Sequence, residues 1–245
     1  MKAKVLFLVS VLLFSVSSCT VRWGDGGKVI EPSEKIVKKK YRFDAFEKVV
    51  SQIVGTILLI QSSDGRSEVA LSAPENYIPY FEFKNNDGEL VLKYSTNNIG
   101  LKMDSVRLIV YSPKFTEISN KGAAEIMLDR LKINELEIKN SGVGTFDLKN
   151  LDVRELEVSC SGVGNIKLSG TAEQAEYKCS GVGKIDAQDV KAKRVEASVS
   201  GVGGIDCYAS ESLEGDVTGV GGLTYAGHPQ NKNLKHSVVG SITEL

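Results

Sequence analysis

With 245 residues and 42% apolar content, the chain is long enough to build one sizeable core. A formal net charge of -1, with no strongly basic half, excludes a nucleic-acid partner. Only His228 and His236 are present, so histidine-dependent acid–base or triad chemistry is poorly supplied.

Lys2 and Lys4 precede a short apolar stretch from Val5 to Phe14, too brief to span a membrane as a mature helix. Small residues then lead to a cysteine, Val16-Ser17-Ser18-Cys19. This layout predicts a secretory signal over residues 1–18. The cysteine behind it resembles a bacterial lipobox, which makes Cys19 the expected acylated first residue of the mature chain and the lipid anchor the expected link to a membrane. Residues 19–40 read as a flexible tether, with Gly24, Gly26, Gly27, Pro32 and Ser33 and little periodicity. Its basic run, Lys35, Lys38, Lys39, Lys40 and Arg42, reads first as a solvated leader and second as a contact for anionic headgroups.

From Tyr41 onward nothing sustains a 3.6-residue period, and short strands account for the pattern. Asn86-Asp87-Gly88 between alternating runs predicts a hairpin, and Pro74 to Pro79 leaves room for a single helical turn. Residues 41–114 are expected to cap or extend the C-terminal region.

That C-terminal region is a repeat. Ser141-Gly142-Val143-Gly144 returns at Ser161, Ser180 and Ser200, then as Thr218-Gly219-Val220-Gly221, and fades to Ser237-Val238-Val239-Gly240. A worn copy begins at Lys121. Self-similarity at this period marks a solenoid whose coils bury their apolar faces only by stacking. Within a coil, apolar pairs such as Ile126/Leu128, Leu131/Ile133 and Leu136/Ile138 are spaced by two, and successive pairs by three. Spacing of two is strand alternation, and spacing of three turns a corner. The fold class is therefore all-β, a parallel β-helix with coils of roughly 19–20 residues over 115–245, within one domain spanning 41–245.

Stacking at about 4.8 Å per coil makes columns readable. Ile126, Phe146, Ile166, Ile185, Ile205, Leu223 and Ile242 should form one inner wall; Leu128, Leu148, Leu168, Ala187, Cys207 and Tyr225 should form another. Each Ser-Gly-Val-Gly glycine either points into a space no side chain fits or supplies positive φ at a corner. The valines between them, Val143, Val163, Val182, Val202 and Val220, form a candidate contact stripe, unless each tucks into a local pocket.

Four residues before each repeat start stands an acid: Glu117, Glu137, Glu157, Glu176, Glu196 and Glu214. Stacked carboxylates at that spacing repel by about 0.9 kcal/mol per pair in water. Such a strip suits either divalent cations or edge protection, with Lys139, Lys178 and Lys235 on the same face. Cys160 and Cys179 occupy equivalent positions and read as buried free thiols rather than a disulfide. There is no CxxC, Walker or G-x-S-x-G motif, so neither a zinc site nor any cofactor is expected. The arginines of the repeats, Arg130, Arg154 and Arg194, are too sparse for the cation-lined cleft of a polysaccharide lyase.

Beyond these readings, the chain resembles the putative auto-transporter adhesin family with a head GIN domain. The resemblance is carried by Phe43 to Leu58, by Val69 to Tyr80, by Asn86 to Leu92, and by the repeated Ser-Gly-Val-Gly with a following Ile. It implies a β-helical fold and an envelope role, and brings no catalytic residues. The expected function is a non-enzymatic envelope lipoprotein, on the outer membrane, presenting a β-helical surface to a protein or glycan. The alternatives are a periplasmic module that assembles envelope proteins and a carbohydrate-active enzyme.

Overall fold

The computed structural model describes residues 28–96 and 99–245. The signal segment and Cys19 lie outside the described residues. Nineteen strands and two 3-10 turns make up the described chain. The N-terminal part contains β1 (Lys28–Ile30), β2 (Ile36–Arg42), β3 (Lys48–Ser51), β4 (Val54–Gln61) and β5 (Glu68–Pro74). After the 3-10 turn Glu75–Tyr80 come β6 (Phe81–Asn86), β7 (Glu89–Tyr94), β8 (Ile99–Leu101) and β9 (Arg107–Ser112). The solenoid continues as β10 (Glu117–Asn120), β11 (Ala123–Leu128), β12 (Leu131–Asn140), β13 (Val143–Cys160), β14 (Val163–Cys179), β15 (Val182–Val199) and β16 (Val202–Val217). It closes with β17 (Val220–Ala226), β18 (Asn231–His236) and β19 (Ser241–Glu244).

The repeat sides do not separate into three short strands. Each full coil is one strand of 16 to 18 residues whose ladder shifts register at an internal bend and which ends only at the Ser-Gly step. Register is parallel and in phase, as Val143↔Val163↔Val182↔Val202↔Val220 shows. One bend falls between Leu148 and Leu151, where Asn150 adopts φ 49°. In the next coil Gly170, with φ 139°, lies opposite Leu151.

The expected inner wall is present from Ile126 to Ile242 in unbroken register. It continues backward through Ile57 of β4 and Leu108 of β9. All of these are buried except Ile242, on the last coil, which is partly covered. Two coils that lack the repeat motif, β7/β9 and β3/β4, therefore belong to the same stack. Antiparallel strands finish that end: β6 on β7, and β5 on β9 with β2 beyond it. The hairpin joining β6 to β7 turns on Asp87 (φ 49°) and Gly88 (φ 83°), the left-handed pair a two-residue turn requires.

The expected tether ends earlier than residue 40. Residues 28–30 pair with β8, and Ile36–Arg42 pair along their whole length with β5. The reason is local alternation: Val37 and Tyr41 pack on the core while Lys38, Lys40 and Arg42 point away.

Candidate functional site

The glycines set the shape of the repeat. A Cβ at Gly162 would lie 2.0 Å from the Gly142 carbonyl oxygen, and one at Gly164 would lie 1.8 Å from that of Gly144. Both glycine columns therefore stack backbone on backbone. Gly164 also has φ 136°, so the inward-packing and positive-φ explanations both apply. The valine between them has nowhere to go but outward. Backbone hydrogen bonds of 2.9 Å, such as Val163 N–H to the Gly142 carbonyl, fix it there.

The five valines are 48–59% exposed and share one register column. No side pocket shelters them. They account for five of the nine large hydrophobics exposed among the described residues. Hydroxyl residues two positions earlier, Ser141, Ser161, Ser180, Ser200 and Thr218, are exposed beside them. The result is an apolar ridge about 19 Å long with a hydroxyl margin.

The glutamates also fall in one column, running from Lys48 through Glu117, Glu137, Glu157, Glu176, Glu196 and Glu214 to Asn233. Their repulsion is relieved by lysines on alternate coils. Lys139 reaches Glu137 at 2.7 Å and Glu117 at 3.4 Å, and Lys178 bridges Glu176 and Glu157 in the same way. The hydrogen bond to Glu176 holds the Lys178 ammonium above its usual pKa. Lys48 and Asn233 meet Glu117 and Glu214 at the two ends. Among the described residues no three His, Cys, Asp or Glu side chains converge to hold a metal ion. A shallow groove of about 930 Å³ runs along this face, between the glutamates and a mixed row that includes Glu135, Gln174 and Arg194.

Cys160, Cys179 and Cys207 are free and buried. Cys160 and Cys179 are register partners. Hydrogen bonding to Cys160, with burial, pushes the Cys179 thiol up; burial, with a contribution from Asp206, pushes Cys207 up to about 12. The hydrogen bond with Cys179 lowers Cys160 to about 7, but its complete burial keeps reagents from it, so none of the three is placed as an accessible thiolate. The same inward column continues backward as Asn140, Asn120 and Ser51, which sequence reasoning missed. Asn120 Nδ2 donates to Asn140 Oδ1 at 3.0 Å and to the Val143 carbonyl at 3.1 Å, and the Gly122 N–H donates to Asn120 Oδ1. The asparagines thus brace the Ser-Gly-Val bend from inside. Their place directly before each repeat start, where Cys160 and Cys179 also stand, was the available signal.

A family model described as "Putative auto-transporter adhesin, head GIN domain" matches residues 45–229. The chain belongs to that family. Among solved structures, it is similar to a putative adhesin from Bacteroides fragilis, with 34% identity and a TM-score of 0.85, covering 88% of this chain and 100% of that one. A putative lipid binding protein from Parabacteroides distasonis has the same fold at 20% identity and a TM-score of 0.69, covering 89% of this chain and 100% of that one. So does a putative adhesin from Parabacteroides merdae, at 22% identity and a TM-score of 0.66, covering 89% and 99%. No curated protein matches the chain. The family is thus described by adhesion and not by an enzymatic activity.

Proposed function

We propose that the protein is a non-enzymatic envelope lipoprotein, acylated at Cys19 and displayed on the outer membrane, that binds a protein or glycan along the valine ridge. The ridge carries this reading. Most outward positions of the repeats hold charged or polar residues, whereas this column keeps a branched apolar side chain on five coils in succession. Nothing in the packing of the coil demands a valine there, because the side chain is about half exposed. Exposed apolar rows of this length mark contact surfaces, and the hydroxyl margin supplies hydrogen bonds that orient a partner. The adhesin description of the family and of the Bacteroides fragilis structure agrees with it.

The test is a glycan array and a panel of extracellular-matrix proteins probed with the purified protein and with a Val163→Asp/Val182→Asp/Val202→Asp variant. The wild type is expected to bind at least one target. The variant, with an unchanged melting temperature, is expected to bind it at least tenfold more weakly. Equal binding by a folded variant would remove the ridge from the function.

A further inference from the structure

Strand alternation should leave most outward residues of the stack polar, and away from the valine ridge the repeats largely follow this. One outward column reads Asp147, Lys167, Asp186, Asp206 and Thr224. Traced toward the N-terminus, the same column becomes Met127, Leu58, Ile109 and Ala70. Tyr111 and Ile60 lie side by side in the adjoining row. These side chains do not face the core, because their chain neighbours Ile57, Leu59, Leu108 and Val110 already fill it. Their partial exposure falls in the same class as that of the outward Asp147, Asp186 and Asp206 of the repeats, so the patch faces solvent.

The rim of this patch is basic. β2 lays Lys38, Lys40 and Arg42 along its edge, opposite Ser72, Ala70 and Glu68. Arg66 sits over the Tyr111 ring at 3.9 Å, and Arg107 lies in the row of Lys38. Among the described side chains, three acids stand nearby. Glu68 is buried between Lys40 (3.3 Å) and Arg42 (3.6 Å), Asp64 meets Arg66, and Glu125 is bonded by Thr56. Lys38, Lys40, Arg42 and Arg66 outnumber these acids among the described side chains. The repeats are charged the other way: residues 115–245 hold 14 Lys and Arg against 19 Asp and Glu.

We infer that this patch on the flank of the N-terminal coils docks on an anionic lipid surface, with the apolar side chains entering the headgroup layer and the basic rim meeting phosphates. An apolar centre with a cationic margin is the amphipathic composition that binds such interfaces. The acidic repeats would be repelled by the same surface, which brings the N-terminal end of the stack nearest to it. Chain length agrees: the 16 residues between Cys19 and Ile36 span at most about 55 Å, so an acyl anchor there keeps β2 within reach of the membrane. The inference deepens the envelope reading above, yet the patch itself does not require acylation.

The two are separated by using the full chain with Cys19→Ser and measuring co-sedimentation with phosphatidylcholine vesicles containing 0 or 30% phosphatidylglycerol (~30% approximates an anionic leaflet). The apolar segment of residues 5–14 contributes equally to every variant. Wild-type patch residues should give tighter binding to the anionic vesicles. Lys38→Glu with Arg42→Gln, which leaves Lys40 to pair Glu68, removes three charge units at about 1 kcal/mol each and should weaken it roughly a hundredfold. Leu58→Ser with Ile109→Ser, both outward, should weaken it about tenfold with the melting temperature unchanged. Wild-type binding by both variants, or no response to phosphatidylglycerol, overturns the inference and leaves the patch to a protein partner. Fatty-acid labelling of the wild-type protein in cells tests the anchor independently.

Discussion

The first coils and the repeats share one interior and differ on the outside. The wall Leu108–Ile57–Ile126–Phe146–Ile166 passes from one region to the other without interruption. One residue further along the chain, the outward column changes from Ile109, Leu58 and Met127 to Asp147, Lys167 and Asp186. Interior positions answer to packing, which is the same at every level of the stack. Exterior positions are free of that demand, and a departure from polarity there is where the proposed contact surfaces lie.

The largest effect expected from this contrast is at Gly203. A Cβ there would lie 1.8 Å from the Gly183 carbonyl oxygen, and φ is 156°. Gly203→Val should cost about 3 kcal/mol or more and abolish soluble, protease-resistant protein. Close behind comes Ile185→Asp, an unpaired carboxylate in the inner wall, costing several kcal/mol. Its neighbour Asp186→Asn, outward on the same strand, should stay within about 0.5 kcal/mol in urea unfolding. Equal losses at 185 and 186 would break the distinction between inside and outside. Asn140→Leu sharpens it in the other direction, since the hydrogen bond from Asn120 Nδ2 to Asn140 Oδ1 is lost in a buried column. A cost of about 1–3 kcal/mol is expected.

The smallest effect is at the far end. Hydrogen bonds from Tyr225, His228 and Lys232 lower the Glu244 carboxyl from 4.5 to about 2. A lowered folded pKa means that this contribution is complete above about pH 4.5 and is lost as pH falls through about 2. Amide exchange in β19 should therefore quicken, relative to β14, as pH is taken from 5 to 2 after correction for intrinsic rates. No change would show that Glu244 does not fasten that strand.

How much could be read from the residues obeys the same division. In the repeats a fixed period assigns each residue a column, so the inner wall, the glutamate row and the valine row were all legible. The N-terminal coils have no period, so that they cap or extend the stack could be expected, but not which of their residues join which column. The run Ile57-Leu58-Leu59-Ile60 is apolar at every position, and without its neighbours it shows only that both faces of a strand are apolar. Lys38 to Arg42 look like a solvated charge run because their strand partner, β5, lies some thirty residues away in sequence. Beyond their place before a repeat start, Asn120 and Asn140 carried no signal that marked them as inward, yet their side chains turn inward and satisfy the bend.

Ridge exposure and display on the cell surface can be tested together. The native thiols at Cys160, Cys179 and Cys207 are buried and should stay silent toward a membrane-impermeant maleimide. Val182→Cys places a reactive thiol on the ridge. Rapid labelling of this variant on intact cells, with none of the wild type, is the predicted result. Labelling only after the outer membrane is opened would place the ridge in the periplasm, and no labelling even of the purified, folded variant would contradict an exposed ridge altogether.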